Sequence, residues 1–131
     1  MKILFYPVSG EIDLSGTADD YQALAALIRA GQGAQAAEPN VTDAFGGTAL
    51  SQIQVSTTAG SLAQIAVDPD GILRISGSPT PLAVLASNIE AMADDQHGGH
   101  LHVDYFPDHA YLAPGSASLI VNSPQGGMPT R

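Results

Sequence analysis

Between His97 and Tyr111 the chain reads His-Gly-Gly-His-Leu-His-Val-Asp-Tyr-Phe-Pro-Asp-His-Ala-Tyr, and this stretch holds all four histidines of the 131-residue sequence. Imidazoles beside carboxylates can ligate a transition metal or move protons, and aromatic rings beside carboxylates can grip a cationic protein. Which chemistry is open depends on how the backbone presents them. Read as a strand, His100 to Tyr105 puts Leu101, Val103 and Tyr105 on one face and His100, His102 and Asp104 on the other, because successive side chains alternate. Pro107 cannot donate a ladder hydrogen bond and biases Phe106 toward an extended conformation, so the strand should stop there. Residues 108–114 then form a loop that carries His109 and Tyr111 back over the strand end.

Three readings of the stretch follow. As a metal site, His100, His102 and Asp104 would be joined by His97 or His109 from the flanking loops, a donor set that suits zinc or copper, or nickel or iron. Neither a cysteine nor a His-Glu-x-x-His helix supports it, and His-x-His arises easily on a polar strand face. As an acid/base centre, His102 or His109 would act with Asp104 or Asp108 as the orienting carboxylate, which requires a pocket and a hydrogen-bonded base. Serines at 76, 78, 116 and 118 lack the Gly-x-Ser-x-Gly context of a nucleophile. As a binding surface, Asp104, Phe106, Asp108, His109 and Tyr111 supply rigid aromatic anchors and negative charge, with Tyr105 turned to the core. This third reading is the one the sequence favours, with no catalytic residue and no cofactor.

The charge balance points the same way. Thirteen Asp and Glu face four cations, Lys2, Arg29, Arg74 and Arg131, for a formal net charge of −9. So few cations make nucleic acid and anionic membrane poor partners, whereas a basic protein is the electrostatic complement. No apolar run approaches a membrane span, and residues 1–7 turn polar too quickly for a signal peptide, so a cytoplasmic location is expected. The chain has no cysteine, hence no disulfide framework.

The elements that must position the stretch are legible in order. Residues 2–6 and 11–14 read as a hairpin around a turn at 7–10. Thr17 with Asp20 makes a capping box, Tyr21, Leu24, Ala25 and Ile28 give one apolar helix face, and Gly31 and Gly33 end it. A weak edge strand is expected near Ala34 to Ala37, and a strand from Ser51 to Ser56. The pattern then recurs: a strand over 63–67, a turn at Asp68-Pro-Asp-Gly71, a strand over 72–75, and a second helix capped by Ser78-Pro79. Leu82, Leu85, Ala86, Ile89 and Met92 form its stripe, and it should stop near Ala93, before Asp94 and Asp95.

The halves align without a gap at an offset of 61: Gly10 with Gly71, Ser15-Gly16 with Ser76-Gly77, Leu24-Ala25 with Leu85-Ala86, Ile28 with Ile89. This predicts an α+β domain over residues 1–121, an antiparallel sheet of about six strands with two helices on one face, built from two β-β-α(-β) units over 1–57 and 62–106. Each unit is expected to end in one more strand, 51–56 in the first and 100–105 in the second. Ser118 to Val121 would add an edge strand, and 122–131 a flexible tail. An exposed edge at 51–56 or 100–105 leaves monomer and homodimer both open.

The run His100-Leu-His-Val-Asp-Tyr-Phe-Pro-Asp-His-Ala-Tyr-Leu-Ala-Pro114, with Ile75-Ser-Gly-Ser-Pro79 and the helix before it, resembles the bacterial family immunity protein 32. The resemblance extends in pattern over most of residues 1–121. It implies an immunity protein that neutralises a toxin of a polymorphic toxin system by binding it rather than by catalysis. No catalytic or metal residues come with it.

Overall fold

The computed structural model describes residues 1–39, 41, 43 and 45–126. Strands β1 (Lys2–Tyr6) and β2 (Glu11–Ser15) form the first hairpin, closed where the Gly10 N–H donates to the Tyr6 carbonyl at 2.8 Å. Helix α1 (Ala18–Ala30) starts at the expected capping box: Thr17 Oγ1 accepts from the Asp20 amide at 3.1 Å and the Asp20 carboxylate accepts from the Thr17 amide at 2.9 Å. Gly31 ends it in the left-handed region at φ 74°, where a Cβ would meet Thr57 Oγ1. Then come β3 (Gln32–Ala36), the two-residue β4 (Thr48–Ala49) and β5 (Gln52–Thr57).

The second hairpin joins β6 (Gln64–Val67) to β7 (Ile72–Gly77), and its turn is held by Asp68 Oδ1, which accepts from the Asp70 and Ile72 amides. Helix α2 (Pro79–Ala93) begins with proline at its first position and stops before Asp94. Its N-cap Ser78 does not cap through its side chain; the hydroxyl donates to the Ser61 carbonyl at 2.7 Å and fixes the entry of the helix. Strands β8 (His100–Val103) and β9 (Ser118–Asn122) complete the described chain.

The α+β class and the two helices are as expected, but among the described residues nine strands divide between two mixed sheets rather than one antiparallel sheet of six. One sheet has the order β4-β1-β2-β9-β8, the other β3-β5-β7-β6, and in each the seam between the inner strands, β2/β9 and β5/β7, is parallel. Each sheet takes its hairpin from one half of the chain and two further strands from the other, and the first sheet adds the short β4 from the half that supplies its hairpin. The strand arrangement of the two halves is reciprocal: β3 is the counterpart of β8, and β5 of β9. The expected equivalence of 51–56 with 100–105 is corrected accordingly. So is the edge placement of 118–121, because β9 lies between β2 and β8 with Leu119 to Val121 fully buried. Strand β5 is likewise internal. The reason is physical: a parallel partner supplied from the other half leaves no mark on local periodicity.

Alternation on the inner strands sends Ile12 and Leu14, Ile53 and Val55, Leu73 and Ile75, and Leu119 and Val121 into one hydrophobic cluster with the apolar faces of both helices. Arg29 of α1 and Glu90 of α2 occupy equivalent positions of the two halves and meet in a two-pronged pair at 2.7 and 3.2 Å. Asn122 and Ser123, the first residues of the expected tail, are buried, and residues 127–131 lie outside the described residues.

The seam β2/β9 is locked by two side chains. The Asn122 amide donates to the Leu14 carbonyl at 3.0 Å and to Ser15 Oγ at 3.1 Å. The Tyr21 hydroxyl, on α1, lies against the carbonyls of Asn122 and of Leu14. Burial pushes the Tyr21 phenol well above its usual range, so it stays a neutral donor. Tyr21→Phe removes that donor and leaves the buried Asn122 carbonyl without it. Urea denaturation should show a loss of about 1–2 kcal/mol with an unchanged slope.

Candidate partner-binding surface

Strand β8 is an edge of its sheet, paired on one side with β9. Val103 points into the core, while His100 and His102 are exposed on the opposite face, across from Asn122 and Ile120. The two imidazoles meet edge to face with centroids 4.8 Å apart. The strand ends at Val103, two residues short of the expected Tyr105, so Asp104 lies just beyond it, exposed, with Oδ2 3.8 Å from His102 Nδ1.

The approach to β8 is built by Asp95. Its Oδ2 accepts from Ser123 Oγ at 2.6 Å, from the Gly98 amide at 2.9 Å and from the His97 amide at 3.3 Å. Gly98 and Gly99 both have positive φ, 82° and 103°, which lets the chain reverse there into the strand. The hydrogen bond from Ser123, with those from the two amides, holds the Asp95 carboxyl below its usual range. A depressed folded-state value contributes stability above the unfolded carboxyl's titration and loses it as pH falls through the folded one. Asp95→Ala should therefore melt earlier than the parent near about pH 7, and the gap should narrow as the pH falls below the ordinary carboxyl range.

After β8 the chain folds into an aromatic loop whose centre is His109. Its Nδ1 accepts from the amides of Tyr111 at 3.2 Å and Leu112 at 3.0 Å. Around it stand Phe106 at 4.6 Å, Tyr111 at 4.7 Å and Tyr105 at 6.4 Å between centroids. The His109 amide donates to the Phe106 carbonyl at 3.0 Å, and Asp108 between them takes the left-handed conformation at φ 64°, which a short polar residue tolerates. The loop is tied to α2 where Asn88 donates to the Tyr111 hydroxyl at 2.9 Å, and to the start of β6 where Ala63 pairs with the Tyr111 carbonyl and the Ala113 amide. Phe106 is 58% exposed, and Asp104 and Asp108 are exposed with it.

The residues thus fall into two groups. Phe106, His109 and Tyr111 come together with Tyr105; His100, His102 and Asp104 line the edge of β8. His97 stands exposed in the loop before it. The five metal-site alternatives, His97, His100, His102, Asp104 and His109, are not gathered: among the described residues, no three His, Asp or Glu side chains are grouped to hold an ion. The acid/base alternatives lack a hydrogen-bonded orienter, since His102 and Asp104 are 3.8 Å apart and His109 Nδ1 is taken by backbone amides.

Sequence reasoning missed a cleft of about 340 Å³ between the β1–β2 turn and the loop before β4, lined by Tyr6, Pro7, Val8, Glu11, Phe45 and Gly46, with Val8 and Phe45 exposed. By alternation Glu11 shares the outward sheet face with His100 and His102. The signal, two isolated apolar residues in turns, is too slight to read from the chain. His109→Ala removes the acceptor that holds the loop. Hydrogen exchange at the Tyr111 and Leu112 amides should speed by at least about tenfold, the equivalent of one lost hydrogen bond.

Residues 72–124 match the family model of immunity protein 32. The match bears out the resemblance carried by positions 100–114. It runs from β7 through β9, so the whole His97 to Tyr111 stretch lies inside it, and the first hairpin, α1 and β3 lie outside. Neither a curated protein nor a solved structure matches the chain. Among the described residues, no helix is long and apolar enough to cross a membrane.

Proposed function

We propose that the chain, with its immunity protein 32 segment, neutralises a protein toxin in the cytoplasm by direct contact, and that the toxin is basic. The observation that carries the reading is the coincidence of the matched segment with the aromatic loop, where Phe106 stands out between the exposed carboxylates Asp104 and Asp108. Phe106 is the anchor, packed against His109, whose ring in turn meets Tyr111, and the carboxylates steer a cationic surface toward it.

The internal ion pairs support the same sign of partner. Arg29 is held by Glu90, and Arg74 is held by Asp68 at 2.6 Å, so two of the chain's cations are already neutralised by carboxylates within it. The acidic excess is left to the surface. Since an ion pair exposed to water adds little to folding, this charge distribution is better suited to encounter than to stability.

The test is co-expression with cloned C-terminal domains of polymorphic toxins, scored by growth, followed by titration calorimetry with any domain that is neutralised. A cognate domain should carry net positive charge, and its affinity should fall steeply with added salt. Phe106→Ala should weaken the complex by about 2 kcal/mol, roughly 30-fold. Asp104→Lys with Asp108→Lys should slow association and flatten the salt dependence. A neutralised toxin that binds these variants as tightly as the parent would move the interface elsewhere, and a cognate toxin of net negative charge would defeat the electrostatic argument.

A further inference from the structure

We infer that β3 is a self-association edge, at which two copies of the chain join their sheets about a two-fold axis through Ala34. Strand β3 ends the sheet β3-β5-β7-β6 and has β5 on one side only. The Ala37 amide donates to the Ser51 carbonyl at 3.0 Å, one step beyond the Ala36/Gln52 pair. Hydrogen-bonded and non-hydrogen-bonded pairs alternate in an antiparallel ladder, so the groups of Gly33 and Gln35 face β5 and those of Gln32, Ala34 and Ala36 face away from it. Among the described residues, no backbone group pairs with the outer side of Gln32, Ala34 or Ala36; two residues beyond, the Glu38 amide donates to the Met1 carbonyl at 2.8 Å, so the free edge is confined to residues 32–36.

Edges left in this condition invite another strand, and proteins commonly blunt them by charge, proline, shortness or a covering segment. The other edges here are treated in those ways. Strand β4 is two residues long. Strand β6 is covered by the segment 111–117, through Ala63 with Tyr111 and Ala113, and through Ala117 and Ser116 with Ile65. Strand β8 carries two titratable imidazoles and is followed by Asp104. Gln32-Gly-Ala-Gln-Ala36 carries no charge and no proline, and all but Gln35 of it is exposed.

The sequence of β3 selects its own copy as the occupant. Antiparallel pairing about Ala34 sets Gln32 opposite Ala36 of the second copy and Gln35 opposite Gly33, so each long side chain faces a small one, and Ala34 faces its twin. The pairs at Gln32, Ala34 and Ala36 fall where both copies present free N–H and carbonyl groups, and each exchanges two hydrogen bonds. A strand with no charge offers nothing to a basic protein. It also adds no local repulsion between two chains of formal net charge −9, whose remaining repulsion is long-range and screened by salt. Self-association is thus expected to strengthen as salt rises, opposite in sign to capture of a cationic toxin.

Sedimentation equilibrium of the full chain over a range of concentration and salt tests this. The parent should shift from 13.4 kDa toward twice that mass, more completely at high salt. Ala34→Lys, which sets two ammonium groups face to face on the axis, should remain at the single-chain mass with an unchanged circular dichroism spectrum. Because the chain lacks cysteine, Ala34→Cys gives a second readout: paired Cα atoms about 5.5 Å apart fit a disulfide, so mild oxidation should cross-link it far faster than Val8→Cys, at the exposed β1–β2 turn. A parent that stays at the single-chain mass at every concentration and salt overturns the inference. So does a dimer that survives Ala34→Lys, or Ala34→Cys cross-linking no faster than the control.

Discussion

The fold depends on two parallel seams, β2 against β9 and β7 against β5. A hairpin alone exposes one edge of each strand and is marginal in water. Here the second strand of each hairpin finds its outer partner only in the other half of the chain. The halves therefore cannot stand as independent domains stacked side by side; each completes the other's sheet. Tyr21 and Asn122 fasten one seam, and Thr57, whose hydroxyl donates to the Gly31 carbonyl at 2.8 Å, ties the end of β5 to the cap of α1. On the exposed side of the two helices, Arg29 and Glu90 meet at equivalent positions, in keeping with a two-fold relation between α1 and α2.

That relation makes the differences between the halves informative. Strands β3 and β8 hold the same place, outermost and antiparallel to the strand that forms the parallel seam. One is Gln-Gly-Ala-Gln-Ala, the other His-Leu-His-Val. After each comes a long connection to the seam strand: one carries Phe45 to the cleft beside Val8, the other packs Phe106, His109 and Tyr111 into a fixed loop. Common backbone geometry has been given two chemistries, and the family match covers the second of them.

Local order was legible in the chain because local chemistry sets it. The capping box at Thr17 and Asp20, the left-handed Gly31, the Asp68 turn and Pro79 at the start of α2 each write their own signal over three or four residues. Strand β3 was faint, since glycine, alanine and glutamine give no alternation of burial to read. The central place of β9 was hidden for a different reason. Its partner β2 lies roughly a hundred residues away, and parallel pairing at that distance leaves no periodicity in either strand. In the candidate surface, alternation placed His100 and His102 outward correctly. The part of His109 was not legible, because a ring that accepts two backbone amides looks in sequence like any other histidine.

The β2/β9 seam also fixes when the sheet beside the first hairpin can close during synthesis. The first hairpin leaves the ribosome early, yet the strand that closes it is the last one described. Its β2 edge must wait through translation of α1, the second hairpin and α2 before its native partner strand exists. Contacts of such long sequence separation also slow folding itself. A chain of this topology gains its ordered surface late and all at once, and a nascent chain stopped before β9 presents an unfinished sheet to the quality-control machinery of the cell.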